Sequence, residues 1–141
     1  MRFEITLHPS YLQADLYQRR SAEETRQFLE AVAAEGIKHE KWRVLISVHD
    51  SDPIFTVEKY GLSSFIEVAQ KYAEKIALVA DSREVRIAHE YAAVLVRLAG
   101  VDVKTFREEN QAIAWLEEEG AKKTRLEPAP VDAADRRLDP R

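Results

Sequence analysis

The run Lys75-Ile76-Ala77-Leu78-Val79-Ala80-Asp81 leads through Ser82 into Arg83–Ala99, then into Val101-Asp102-Val103-Lys104-Thr105-Phe106, and then into Asn110–Leu116. The first piece is almost wholly apolar. The second places apolar residues at three- and four-residue steps, the third alternates, and the fourth returns to a helical period. The turns between them are very short. Strand, helix, strand, helix is the resulting order, and two strands joined through a helix form a parallel βαβ unit, since a parallel pair needs a long crossover. This stretch sets the class as α/β.

Toward the N-terminus, Arg43–Val48 is a second nearly continuous apolar run. Such runs belong to strands covered on both faces, so this one and Ile76–Ala80 are expected side by side at the centre of one sheet. Phe3, Ile5 and Leu7 alternate with Glu4, Thr6 and His8, and Leu12, Ala14 and Leu16 alternate with Gln13, Asp15 and Tyr17. Two amphipathic strands across the His8-Pro9-Ser10 turn predict an antiparallel hairpin. Ser21-Ala22-Glu23-Glu24 has the form of a capping box. It opens a helix expected to run to about Glu35, with Phe28, Leu29 and Val32 buried and Gly36 at the C′ position. His49–Tyr60 is irregular, with the loop signal Asp52-Pro53.

Leu62–Ala73 reads as helix, with Leu62, Phe65, Ile66, Ala69 and Tyr72 or Ala73 inward. In Arg83–Ala99, Ile87, Tyr91, Val94 and Leu98, together with Ala88, Ala92 and Leu95, predict a wide buried face. Ala112, Ile113, Trp115 and Leu116 form the inner side of the last helix. The chain is thus an N-terminal β-hairpin followed by βαβαβα, a mixed, mostly parallel five-stranded sheet packed with four helices and crossing over right-handedly. Residues 1–119 are expected to form one domain. Residues 120–141, with prolines among charges and no apolar period, read as a flexible tail.

A chain of 141 residues suits a single core. Its net charge of −4, with Lys and Arg interleaved with Asp and Glu, speaks against a nucleic-acid partner, which requires a basic stripe. The absence of cysteine excludes disulfides, thiolate zinc sites and a thiol nucleophile. No apolar run approaches the roughly 20 residues of a membrane span. No signal-peptide pattern is evident at the N-terminus, so a cytoplasmic location is expected.

In open α/β sheets ligands gather at the carboxyl ends of the parallel strands. The loops there are His49-Asp50-Ser51-Asp52, Asp81-Ser82-Arg83 and Arg107-Glu108-Glu109-Asn110. The candidate ligand-binding residues are therefore His49, Asp50, Ser51, Asp52, Asp81, Ser82 and Arg83. Read for chemistry, the three aspartates would hold a hard cation such as Mg²⁺, and a phosphoryl group on Ser51 or Ser82 would pair with Arg83. Read as structure, Asp81 and Ser82 cap the following helix, and Asp50 and Asp52 shape a turn. The structural reading is favoured, because nearly every strand–helix junction needs such groups.

His8, His39, His49 and His89 show no metal-ligand spacing. His89, beside the core face of its helix, is expected to be a hydrogen-bonded structural residue. A Ser51-His49-Asp81 triad lacks a nucleophile elbow and an oxyanion loop, and four glycines cannot build a phosphate cradle. No catalytic residue, metal or cofactor is assigned.

The element order is that of STAS domains. The chain more closely resembles the SpoIIAA-like family, also labelled STAS/SEC14-type, from Met1 to about Glu118. The resemblance rests on Arg43–Val48, on Lys75–Asp81, and on Val103-Lys104-Thr105-Phe106 with Ala112-Ile113-Ala114-Trp115-Leu116. It implies a small bacterial domain that acts as a binding or regulatory module. STAS switch proteins carry a phosphorylatable serine in an Asp-Ser-x-Gly-like turn at the second helix. Here Asp50-Ser51-Asp52-Pro53 lacks the glycine, and Gly61-Leu62-Ser63-Ser64 lacks the preceding Asp-Ser. SEC14-type relatives imply the alternative of a carrier for a lipid or small apolar ligand. A small Mg²⁺-dependent enzyme using the acidic loops is the third reading. The partners so implied are a protein or a small molecule, with homodimerisation open.

Overall fold

A computed structural model describes residues 1–55 and 61–118. The chain runs β1 (Arg2–Leu7), β2 (Leu12–Tyr17), α1 (Ala22–Lys38), β3 (Arg43–His49), α2 (Leu62–Tyr72), β4 (Lys75–Ala80), α3 (Arg83–Leu98), β5 (Val103–Phe106) and α4 (Glu109–Leu116). The strands form one sheet in the order β1-β2-β3-β4-β5, with β1 antiparallel to β2 and every other pair parallel. The two apolar runs pair as expected, Val44 opposite Ile76 and Ile46 opposite Leu78. The tail expected over residues 120–141 lies outside the described residues.

Because the parallel strands follow one another in sequence, the three crossovers step the same way across the sheet. They leave α1, α2 and α3 on one face. There Leu12, Leu16, Ile46 and Ile76 meet Phe28, Val32, Phe65 and Val85 in the main core. Among the described residues the opposite face carries only α4. A second cluster of Tyr11, Leu45, Ala77, Val79, Ala112 and Leu116 holds it in place. Two cations close the C-terminus of α4. Arg43 Nη1 donates to the Leu116 carbonyl at 2.5 Å, and Lys75 Nζ donates to that of Trp115 at 2.7 Å. Positive charge at that end satisfies the orphan carbonyls and complements the helix dipole. Lys75 is 3% exposed, and burial, reinforced by the charge of Arg43, pulls its pKa down.

Two expectations are corrected. Gly36 does not end α1, which continues to Lys38. The left-handed C′ position is taken by Glu40 at φ 54°, where the Glu40 N–H reaches the Ile37 carbonyl and the Lys41 N–H that of Gly36. That is a Schellman closure with Gly36 at C3. A Cβ at Gly36 would sit 3.4 Å from the Lys41 carbonyl, a close but ordinary contact.

The second correction concerns α3. Val85, Ala88, Ala93 and Val96 face the sheet, whereas Ile87, Tyr91, Val94, Leu95 and Leu98 are exposed. The helix has apolar residues on both sides, and the small ones permit the closer approach to the strands.

Candidate functional site

The strand-end residues come together, and most of them brace the chain. The Asp50 N–H donates to Asp81 Oδ2 at 3.1 Å, which ties the ends of β3 and β4. Ser51 Oγ accepts the Arg19 N–H at 3.0 Å and donates to the His49 carbonyl at 2.9 Å. The Asp52 N–H donates to the Arg19 carbonyl, and Arg20 reaches the carboxylates of Asp50 and Asp52 at 3.7 and 3.2 Å. Ser82 caps α3, accepting the Val85 N–H at 3.1 Å. Arg83 lines an open cleft of about 400 Å³ with Arg86, Thr105 and Arg107. Among the described residues no three His, Asp or Glu side chains are placed to share a metal ion. Asp50, Asp52 and Asp81 are therefore a stitched turn, with Arg19 and Arg20 after β2 as the partners that sequence reading passed over.

His49 takes a partner unforeseen in the sequence. The parallel register sets Asp15 opposite Ser47 and Tyr17 opposite His49. On the α4 face of the sheet, His49 Nε2 lies 3.1 Å from Asp15 Oδ1, and Gln13 Nε2 donates to Asp15 Oδ2 at 3.1 Å. The Tyr17 ring stacks on His49 at 4.7 Å, and the Arg2 guanidinium lies 4.0 Å over Tyr17. Asp15 orients the imidazole and fixes which nitrogen faces it. Ser47 is fully buried and donates to Glu109 at 2.9 Å. Neither the Ser47 nor the Ser51 hydroxyl is bonded to the His49 imidazole as a nucleophile would be: Ser47 reaches Glu109 and Ser51 the His49 carbonyl. The network is a polar seam between β2 and β3.

The other face holds a partly open pocket of about 80 Å³ between the sheet and α1, α2 and α3. Its walls are largely apolar: Leu16, Ile46 and Leu78 from the strands, Phe28 and Leu29 from α1, Leu62 and Phe65 from α2, Ala92 and Val96 from α3. Three polar side chains also reach it, Arg19, Thr25 and His89. Arg19 is buried, with Nη1 donating to Thr25 Oγ1 at 3.3 Å and Nη2 to the Asp52 carbonyl.

His89 departs from expectation: its Nδ1 is sealed from solvent and has no hydrogen-bond partner among the described residues. Burial, with Arg19 adding to it, pushes the His89 pKa down to about 4, so the imidazole is neutral at pH 7. A buried unpaired nitrogen costs about 1–3 kcal/mol. In a largely apolar pocket it is a group that a ligand can satisfy. The signal in the sequence was weak: a histidine one position from a buried alanine, and an arginine in the turn before a capping box.

Among the described residues no helix is long and apolar enough to cross a membrane. Comparison with curated proteins and with solved structures found no match. A family model does match residues 13–117, from the second residue of β2 to just past α4. It takes in the parallel strands, all four helices, the stitched strand ends and the pocket. That match supports a regulatory or binding module in general terms, and with the sheet order and packing motifs above, the chain belongs to the SpoIIAA-like family.

Proposed function

We propose that this protein is a non-catalytic binding module that takes a small, mostly apolar ligand with one polar end into the chamber between its sheet and helices. The observation that carries the reading is the sealed Nδ1 of His89, without a hydrogen-bond partner among the described residues, in the wall of a pocket whose other lining side chains are apolar apart from Arg19 and Thr25. A ligand hydroxyl or protonated carboxyl would satisfy that nitrogen while its hydrocarbon part replaces empty space. Both changes are favourable, because a buried polar group without a partner and an empty, largely apolar pocket each destabilise the unliganded state.

Size restricts the ligand. The pocket exceeds what one water requires and falls short of the roughly 150 Å³ that admits a benzene ring. A ligand of more than a few carbons needs the wall to yield. The yielding wall is α3, which meets the sheet through valines and alanines rather than large interlocking side chains.

Thermal unfolding with octanol, octanoate or octane tests this. Octanol should raise Tm by several degrees, since a ligand at a hundredfold excess over Kd stabilises by about 2.7 kcal/mol. Octane should do less. Filling the chamber with Ala92→Leu should abolish the response while the variant stays folded by circular dichroism. The reading fails if neither polar-ended ligand shifts Tm in the wild type, or if Ala92→Leu responds as the wild type does.

A further inference from the structure

We propose that the outer face of α3 is a self-association surface on which a second copy of this chain docks with its own α3 antiparallel. Ile87, Tyr91, Val94 and Leu98 follow one another at steps of four, three and four residues, the spacing of a helix–helix seam. All four point to solvent, at 47, 58, 51 and 80% exposure. Leu95 extends the stripe on one side, and Phe55 joins it by packing edge-on against Tyr91 at 6.1 Å. A contiguous apolar seam of this kind on an acidic, otherwise charged surface marks a contact site.

Charge selects the occupant and its direction. Glu90 accepts from Thr105, and Arg97 Nε donates to the Val103 carbonyl at 3.1 Å, so both lie on the flank of the stripe that faces β5. Neither has an ion-pair partner among the described residues. In a two-fold antiparallel pair that flank meets the same flank of the other copy, running the opposite way. Ile87 then packs beside Leu98 of the second copy and Tyr91 beside its Val94, while Glu90 comes next to its Arg97. Symmetry repeats each contact, so one geometry completes two ion pairs around a closed apolar seam. In a parallel pair the same flank would face the side bearing Ala88 and Leu95, leaving both charges uncompensated.

Sedimentation velocity on the full chain, over concentrations up to about 0.1 mM, tests the proposal. The wild type should dimerise. Glu90→Arg and Arg97→Glu should each raise the dimer Kd by about tenfold or more, and the double swap should restore it to within about threefold of wild type. Leu98→Asp should give monomer with unchanged Tm, because that side chain makes little contact within the protomer. A wild type that stays monomeric throughout overturns the proposal. So does a dimer indifferent to Leu98→Asp, or a double swap no tighter than the single reversals.

Discussion

His89 makes the stability of this protein depend on pH in a defined direction. Its pKa in the folded chain is about 4, against about 6.5 for an unhindered histidine. Between those values the unfolded chain binds more protons than the folded one. The stability associated with the neutral ring is therefore full above about pH 6.5 and is lost as pH falls toward 4, by up to about 3 kcal/mol. Urea unfolding of the wild type at pH 7.5 and pH 5 should show that loss. His89→Leu should flatten it, and an equally steep profile in the variant would assign the effect to other groups. Residues of this kind are where the sequence was least legible. Asp15 was readable as lying on the polar side of its strand, but its meeting with His49 depends on the parallel register of β2 on β3, which no local pattern encodes. His89 and Arg19 are separated by nearly the whole βαβ core. Only the folded packing brings one to lower the proton affinity of the other.

At the scale of single elements the pattern was read well, and its failures have identifiable causes. Strand pairing, the hairpin and the Ser21 and Ser82 caps are all present as local chemistry dictates. The end of α1 was misplaced because glycine was taken as the stop signal, while the stop is made by a glutamate held at positive φ. The inward face of α3 was misassigned because periodicity reports that a helix is amphipathic without saying which of two apolar arcs meets the sheet. α3 ends in the same closure as α1, with the Gly100 N–H reaching the Arg97 carbonyl and the Val101 N–H that of Val96, so the two ends make a matched test. Glu40→Gly should stabilise the protein by about 0.5–1 kcal/mol, since it relieves a left-handed residue bearing a Cβ. Gly100→Ala should cost about 1 kcal/mol. A Cβ there would meet nothing within 4 Å, so the loss is purely conformational, from φ 88°. Opposite signs in chemical denaturation are the expected result, and equal signs would mean that something other than backbone conformation controls these ends.

Over the described residues the sheet is unequally covered, with three helices on one side and a single short helix on the other. Both coverings depend on the same central strands, since Val44, Ile46 and Ile76 serve one core while Leu45, Ala77 and Val79 serve the other. Neither layer can therefore persist once β3 and β4 separate, and unfolding should be a single cooperative event. The chain supplies its own reporters for this. Trp42 stacks on Tyr72 at 5.2 Å on the three-helix side, and Trp115 sits against Phe106 at 5.7 Å on the α4 side, with the Lys75 ammonium 5.0 Å from its ring. In Trp42→Phe and Trp115→Phe variants, the remaining indole should give the same denaturation midpoint once each variant is referred to its own circular dichroism curve. A Trp115 signal that melts early would instead mark α4 as an independently detachable flap. With one tryptophan per layer and no cysteine to oxidise, the protein is suited to stopped-flow work without extrinsic labelling, each flank of the sheet emitting its own record of assembly.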